Sequence, residues 1–369
     1  MTSPDLIVVG GGIVGLAHAV DAHLRGLAVT MLERDERAVG ASVRNFGHVC
    51  TTPQAGEARP YALEANERWR KLAALADFEI ETHGTVAVAR TEAELAVLEE
   101  FATTRAADEV QLLTPAGVED RIGWLPADTV GGAWLTRDLR VDPRAAIPAL
   151  AHWLVDRGVD VRFGVNVASI ADGVVATNQG EFVGDRVVHA AGHDVDRLFP
   201  TIAEEYGIRR CRLQMFEVAP PQDLRIGPAV LTGTSLLRYG GFEEQPSAAR
   251  VRAAFEANQP DLLEAGVNLM LTQRPDGSIV LGDTHHYGKT LTPFEDEDVA
   301  NIILREGARL FGTDLTVRRR WRGVYAHSTQ TDFLIGSPDP RTRVVSVTSG
   351  VGMTTGLGLA PAVLDEFLA

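Results

Sequence analysis

The chain opens on four apolar residues, Leu6 to Val9, breaks into glycine at Gly10-Gly11-Gly12-Ile13-Val14-Gly15, and resumes as a helical pattern from Leu16 to Arg25, with Gly26 placed to end it. A second apolar run, Ala28 to Leu32, follows and ends in Glu33. The pattern predicts strand, glycine turn, helix and strand in close succession. A similar unit closes the chain: Arg341 to Val347 reads as a strand, Ser349 to Gly356 as a glycine-rich turn, and Leu357 to Leu368 as an apolar helix. Between them, Asp142 and Pro143 supply an N-cap and a first helical position for a run to Val155. Strands are expected at Val159 to Phe163, Val165 to Ile170, Gly173 to Thr177 and Arg186 to His189. Another set, Glu79 to Val88, Gly132 to Leu139, Arg209 to Val218, Val230 to Tyr239, Val267 to Leu271 and Ser278 to Gly282, reads as a largely antiparallel sheet. Two packing helices, about Glu92 to Arg105 and Asp296 to Leu310, accompany it.

The 369 residues, 45% hydrophobic and 23% charged, suffice for about two domains with ample core and exclude disordered, collagenous and coiled-coil classes. No stretch approaches the ~18 uninterrupted apolar residues that span a bilayer. The most apolar, Leu6 to Val20, is rich in glycine and closed by Asp21. A net charge of −15 argues against nucleic acid as a partner, because neutralising phosphates needs a basic face. The first residues lack the positive region of a secretory signal, and Cys50 and Cys211 alone make neither a disulfide framework nor a multi-cysteine metal site. A reducing cytoplasm, no membrane and no metal are therefore expected.

The first glycines form a G-x-G-x-x-G in the context its chemistry needs, between a strand and a helix, with an acidic residue ending the next strand. Gly10 permits the tight turn, Gly12 lets the backbone approach a pyrophosphate, and Gly15 lets helix and strand pack closely. Ile13 and Val14 then present amides at a helix N-terminus, where anions are stabilised. Glu33 is placed to accept both ribose hydroxyls, which favours an unphosphorylated adenosine ribose over NADP. The motif alone does not separate NAD from FAD.

The next segment, Gly40-Ala41-Ser42-Val43-Arg44-Asn45-Phe46-Gly47-His48-Val49, together with Arg140-Val141-Asp142-Pro143-Arg144, Val187-Val188-His189-Ala190-Ala191-Gly192 and the C-terminal glycine turn, resembles the D-amino-acid oxidase superfamily of flavoproteins. The resemblance implies α/β plus α+β architecture, with a discontinuous Rossmann-like FAD-binding domain at 1–80, 141–205 and 318–369 and an inserted antiparallel-sheet substrate domain at 81–140 and 206–317. It implies non-covalent FAD, held by Gly10, Gly12, Ile13, Val14, Gly15, Glu33, Arg34, Ala41, Ser42, Arg44, Asn45, Gly47, His48, Val167, Ala191, Gly192, Gly352, Met353, Thr354 and Thr355. It further implies amine oxidation: hydride passes from the amine-bearing carbon to the flavin, and water hydrolyses the resulting imine. Attachment through a C-terminal cysteine is impossible, since none lies beyond Cys211.

At two positions the chain departs from its relatives. Where glycine-oxidase-like members carry arginines that grip a substrate carboxylate, this sequence has Tyr325 and Thr354. The donors left to bind an anion are His48, Arg238, Tyr239, His285 and Arg322, with Tyr325 beside them, a set suited to a group with three acceptor oxygens. With the strings around Arg44 and Gly282, this looks like a branch of the superfamily associated with phosphonate catabolism, acting on relatives of 2-aminoethylphosphonate. The alternatives are a D-amino acid, glycine or N-methyl amino acid as substrate, and a flavin-binding protein that is not an oxidase. The expected partner is a small anionic amine, with molecular oxygen or another acceptor taking the electrons; the sequence leaves the oligomeric state open.

Overall fold

The computed structural model describes residues 3–369. Two sheets organise it. The first has six strands in the order Phe333–Asp339, Thr342–Val347, Arg186–His189, β1 (Leu6–Val9), β2 (Val29–Leu32) and Asp160–Arg162. All its neighbours run parallel except the first pair. β1 lies at the centre with every residue buried, as its uninterrupted apolar sequence requires.

One face of this sheet is covered by helices. α1 (Ile13–Leu24), α2 (Ala58–Ala76), Pro143–Asp156 and Gly352–Leu368 pack Leu16, Trp69, Leu150 and Leu357 into one core. The other face carries a small antiparallel sheet, Val167–Ala171, Val174–Thr177 and Gly180–Val183, over Ile7, Val9 and Val187. Asp142 caps its helix as expected, its side chain accepting from the Arg144 amide at 3.0 Å.

The second sheet has nine strands. Eight follow the order His286–Gly288, Arg209–Val218, Ile279–Gly282, Met270–Gln273, Ala229–Leu231, Thr85–Ala89, Gly131–Leu135 and Val110–Leu113, and Val317–His327 joins along Arg209–Val218. Pairing is antiparallel save for Ala229–Leu231 against Thr85–Ala89. β3 (His48–Val49), Leu139–Val141 and Ile80–Glu81 form a third, small sheet beside both.

Several sequence expectations need correcting. The strand expected at Val230 to Tyr239 stops at Leu231, and 233–237 coil into a 3-10 turn. Polar residues explain the break: the Thr232 hydroxyl donates to the Leu269 carbonyl and Ser235 to Asn268 Oδ1, so the chain bonds sideways instead of extending the ladder. The closing helix begins at Gly352, inside the stretch expected to be turn. Residues 318–327, grouped on sequence with the flavin-binding segments, lie in the nine-stranded sheet, where 319–327 pair one for one with 209–217 and the register shifts at Arg318. That strand, VRRRWRGVYAH, was missed because its exposed positions are arginine, which hides the alternation. Val110–Leu113, Gly180–Val183 and His286–Gly288 were missed as well, being only three or four residues long.

Candidate active site

A cavity of about 760 Å³ runs from the C-terminal ends of β1 and β2 to the inner face of the nine-stranded sheet. Two helix N-termini open onto it: Gly12, Ile13 and Val14 of α1, and Gly352, Met353 and Thr354 of the closing helix. Neither N-cap residue, Gly12 or Val351, caps its helix with its own side chain. The two remote glycine segments meet here, since a Cβ on Gly356 would lie 3.7 Å from Ile13. Gly10 has φ +112°, which an L side chain rarely adopts, and a Cβ on it would fall 2.6 Å from the Ala190 carbonyl. A Cβ on Gly12 would sit 2.9 Å from Ser42 Oγ, which itself accepts from the Ile13 amide at 2.8 Å.

Glu33 lies at the tip of β2 on the cavity wall, its Oε2 accepting from the Gly11 amide at 2.6 Å and its Oε1 from the Asp35 amide at 3.0 Å. Val167, Ala191 and Gly192 line the same end, and Arg34 edges it, paired with Asp194 at 2.7 Å. Along the next stretch Ala41, Ser42, Arg44, Asn45 and His48 face the cavity. Asn45 rigidifies that loop, donating to the Ala41 carbonyl and accepting from the Gly47 amide at 2.7 Å.

Four sequence candidates do not face the cavity. Arg322 points the other way, bonded to the Thr292 and Pro293 carbonyls and to Glu295 at 2.9 Å. It offers no charge to the site because alternate residues of a strand face opposite ways, and Tyr325 takes the inward side. Thr355 is buried, its hydroxyl donating back to the Val351 carbonyl. Gly15 and Gly47 lie behind the wall, where each lets two backbones approach: Gly10 for the first, Val141 for the second.

At the sheet end the cavity is polar. Cross-strand register puts Tyr287 and Tyr325 on either side of Cys211 and on one face. Arg238, at the end of the 3-10 turn, donates from Nη1 to Tyr287 Oη at 3.0 Å and from Nη2 to Tyr325 Oη at 2.7 Å. Those bonds take two of its five N–H donors. Among the described residues no carboxylate lies within 4.0 Å of it. Tyr239 and His285 complete the wall. His285 Nδ1 faces the Gly266 carbonyl at 2.8 Å, so it carries the hydrogen and Nε2 is the free acceptor. Burial and then the nearby Arg238 charge hold this imidazole well below its ordinary range, so it is neutral. Burial likewise pushes the Tyr325 and Tyr239 hydroxyls up, so both stay protonated.

His48 bonds Thr85 Oγ1 through Nε2 at 2.7 Å. With Cys50 and Asp138 it brings candidate ligand atoms within 4.8 Å of one another. Burial, with the nearby Asp138 charge, drives the Cys50 thiol well above its ordinary value, so it is protonated. Thr354 ties the trio to the closing helix, accepting from the Cys50 amide at 3.1 Å.

Sequence reasoning passed over Asp283 and Asn268, both on the cavity wall. Asp283 is 5% exposed, and burial raises its carboxyl to about 7 although Arg238 pulls the other way. The only signal available was a Gly282-Asp283 pair ending a strand, and nothing local says that its carboxylate is buried.

This is a dinucleotide-binding fold whose cavity continues from two helix N-termini to a polar, cation-bearing pocket on a second sheet. The family model described as FAD dependent oxidoreductase (DAO) matches residues 5–365, and the chain belongs to that family. Its cofactor is FAD. The chain is similar to the bifunctional protein ThiO/ThiG of Synechocystis sp., at 29% identity over 54% of this chain and 31% of that one. It spans between 31% and 60% of the lengths of the first curated relatives it matches. Its fold is similar to that of glycine oxidase from Bacillus cereus, with a TM-score of 0.80 at 17% identity over 99% and 97% of the two chains. It is also similar to the FAD-bound L-alpha-glycerophosphate oxidase from Mycoplasma pneumoniae, with a TM-score of 0.73 at 21% identity over 100% and 94%. Among the described residues no helix is long and apolar enough to cross a membrane.

Proposed function

We propose that this FAD-dependent oxidoreductase oxidises a small anionic amine, an aminophosphonate related to 2-aminoethylphosphonate. The observation that carries the reading is Arg238: a guanidinium on the wall of the cavity, fixed by two tyrosine hydroxyls and without a carboxylate partner in reach. A partly buried cation is costly unless paired, and a multiply charged oxyanion with several acceptors satisfies it best.

The residues fit FAD. Gly10 and Gly12 leave a cradle that a Cβ would fill, two helix N-termini suit a pyrophosphate and the electron-rich flavin edge, and Glu33 suits a ribose diol. We assign the dinucleotide contacts to Gly10, Gly12, Ile13, Val14 and Glu33, with Ser42, Asn45, Val167, Ala191, Gly352, Met353 and Thr354 along its length. Bound FAD supplies the two-electron acceptor for a hydride from the amine-bearing carbon. The protein's own work is positioning: Arg238 and Tyr325 bind the anion and so aim the carbon, Tyr287 steadies the guanidinium, and neutral His285 and Tyr239 shape the pocket around it. Molecular oxygen or another acceptor would then reoxidise the cofactor, and we place the enzyme in a reducing cytoplasm, with which two buried free cysteines agree.

The test is peroxide production by purified protein on matched aminophosphonates and amino acids. A preference of tenfold or more in kcat/KM for an aminophosphonate supports the proposal, and a clear preference for glycine or sarcosine overturns it.

A further inference from the structure

Resting on that reading, we propose that Asp283 is the anchor for the substrate's ammonium group and the acceptor of the proton it sheds, so that the pocket holds a zwitterion between Arg238 and Asp283. Both side chains line one cavity, and among the described residues no ion pair within 4.0 Å joins the two. Asp283 Oδ1 is buried with no hydrogen-bond partner. The nearest basic atom, His285 Nδ1 at 3.8 Å, already donates to the Gly266 carbonyl.

The Asp283 backbone is pinned on both sides. The Asp283 amide donates to the Asn268 carbonyl and the Asn268 amide to the Asp283 carbonyl, each at 2.8 Å. Ser235 fixes Asn268 Oδ1 at 2.7 Å, which turns the Asn268 side-chain amide toward Asp283. The titratable groups around Asp283 are Arg238, Tyr239, Cys211 and His285. Burial keeps three of these neutral, raising the Tyr239 hydroxyl and taking the Cys211 thiol to about 12 while lowering His285. Arg238 and Asp283 therefore remain as the two charge carriers.

A buried carboxylate with an unpaired oxygen needs a cation or a proton, and a substrate ammonium brings both. An ammonium cannot lose hydride from its carbon until it is deprotonated. In the proposed step an N–H bond breaks with its electron pair left on nitrogen, and the proton forms an O–H bond on Asp283. The C–H electron pair then leaves as hydride to the bound flavin. Burial sets the carboxyl at about 7, so about half the sites are ionised at neutral pH and nearly all at pH 8.5, ready to take a proton.

The experiment is calorimetric binding to the holoenzyme, with ligands that cannot be oxidised because their amine-bearing carbon has no hydrogen. 2-Amino-2-methylpropylphosphonate is compared with 2,2-dimethylpropylphosphonate, in which a methyl replaces the ammonium; α-aminoisobutyrate and pivalate form the matching carboxylate pair. Wild-type protein at pH 8.5 binds the amine of the pair roughly tenfold or more tightly, as expected for a hydrogen bond between charged groups. Asp283→Asn, which is isosteric, brings the two affinities to within about threefold. The wild-type ratio also falls as pH drops through about 7, once each phosphonate's affinity is corrected for its own second ionisation, which the ammonium lowers in the amine. A ratio kept by Asp283→Asn, or a wild-type ratio flat from pH 5.5 to 8.5, overturns the proposal. Should only the carboxylate pair bind, the phosphonate reading fails and Asp283 is judged on that pair.

Discussion

Replacing Arg238 with Met removes the guanidinium and keeps most of the stem volume. The change deletes two hydrogen bonds to tyrosine, at 3.0 and 2.7 Å, and leaves a bound anion facing neutral hydroxyls. Truncating one partner of a buried charge pair costs about 2–5 kcal/mol, or roughly thirtyfold to several-thousandfold in apparent affinity. Tyr325, on the cavity wall, can still donate to the anion once freed, so the expected loss lies toward the lower part of that range. In steady-state assays it falls on KM for anionic amines, because the anion is held alike in ground and transition states. A neutral amine of the same shape changes little. The melting temperature and bound FAD serve as controls. An unchanged KM for the anionic substrate, or an equal loss on the neutral one, refutes Arg238 as the anchor.

Other outcomes follow from the same geometry. Gly12→Val, whose branches would enter the cradle beside Ser42, is expected to give folded protein that no longer retains FAD, checked by circular dichroism and released flavin. Glu33→Ala removes the acceptor of the Gly11 amide and the diol partner, and should weaken FAD binding to apoprotein by about 1–3 kcal/mol. Trp69→Phe deletes a buried bond to the Met353 carbonyl at 2.8 Å and should lower unfolding free energy by about 1–3 kcal/mol in denaturant titration. His18 and His189 are both lowered by burial from 6.5 to about 4. Because the unfolded chain takes up these protons more readily, stability is full above pH 6.5 and falls as pH drops from there through about 4, by about 1.4 kcal/mol per unit for each group. His18→Leu should flatten that slope between pH 6.5 and 5; an unaltered slope contradicts the assignment.

What the sequence disclosed is what short-range spacing encodes. Gly10, Gly12 and Gly15 declare themselves because turn, pyrophosphate approach and helix packing are all set within six residues. The closing glycine turn and Glu33 were legible for the same reason, and both reach the cavity. The substrate end is assembled by register across strands far apart in sequence. Tyr287 meets Tyr325 only because both pair with Cys211. Arg238 and Arg322 look equivalent on paper; the 3-10 turn aims one into the cavity, and strand alternation sends the other to Glu295. Asp283 carried no signal beyond its place after Gly282, because its significance lies in burial and an unpaired oxygen, which composition and periodicity do not record.

The central claim is that one cavity joins a flavin dinucleotide to an anionic amine gripped by Arg238. Anaerobic mixing of the purified yellow protein with 2-aminoethylphosphonate and its N-methyl and 1-hydroxy relatives tests it most directly, with the visible flavin band followed in time. Saturable bleaching by at least one of these compounds, with its half-saturation shifted at least thirtyfold in Arg238→Met, is the expected result. A protein that releases no FAD on denaturation, or whose flavin band none of these amines bleaches, contradicts it.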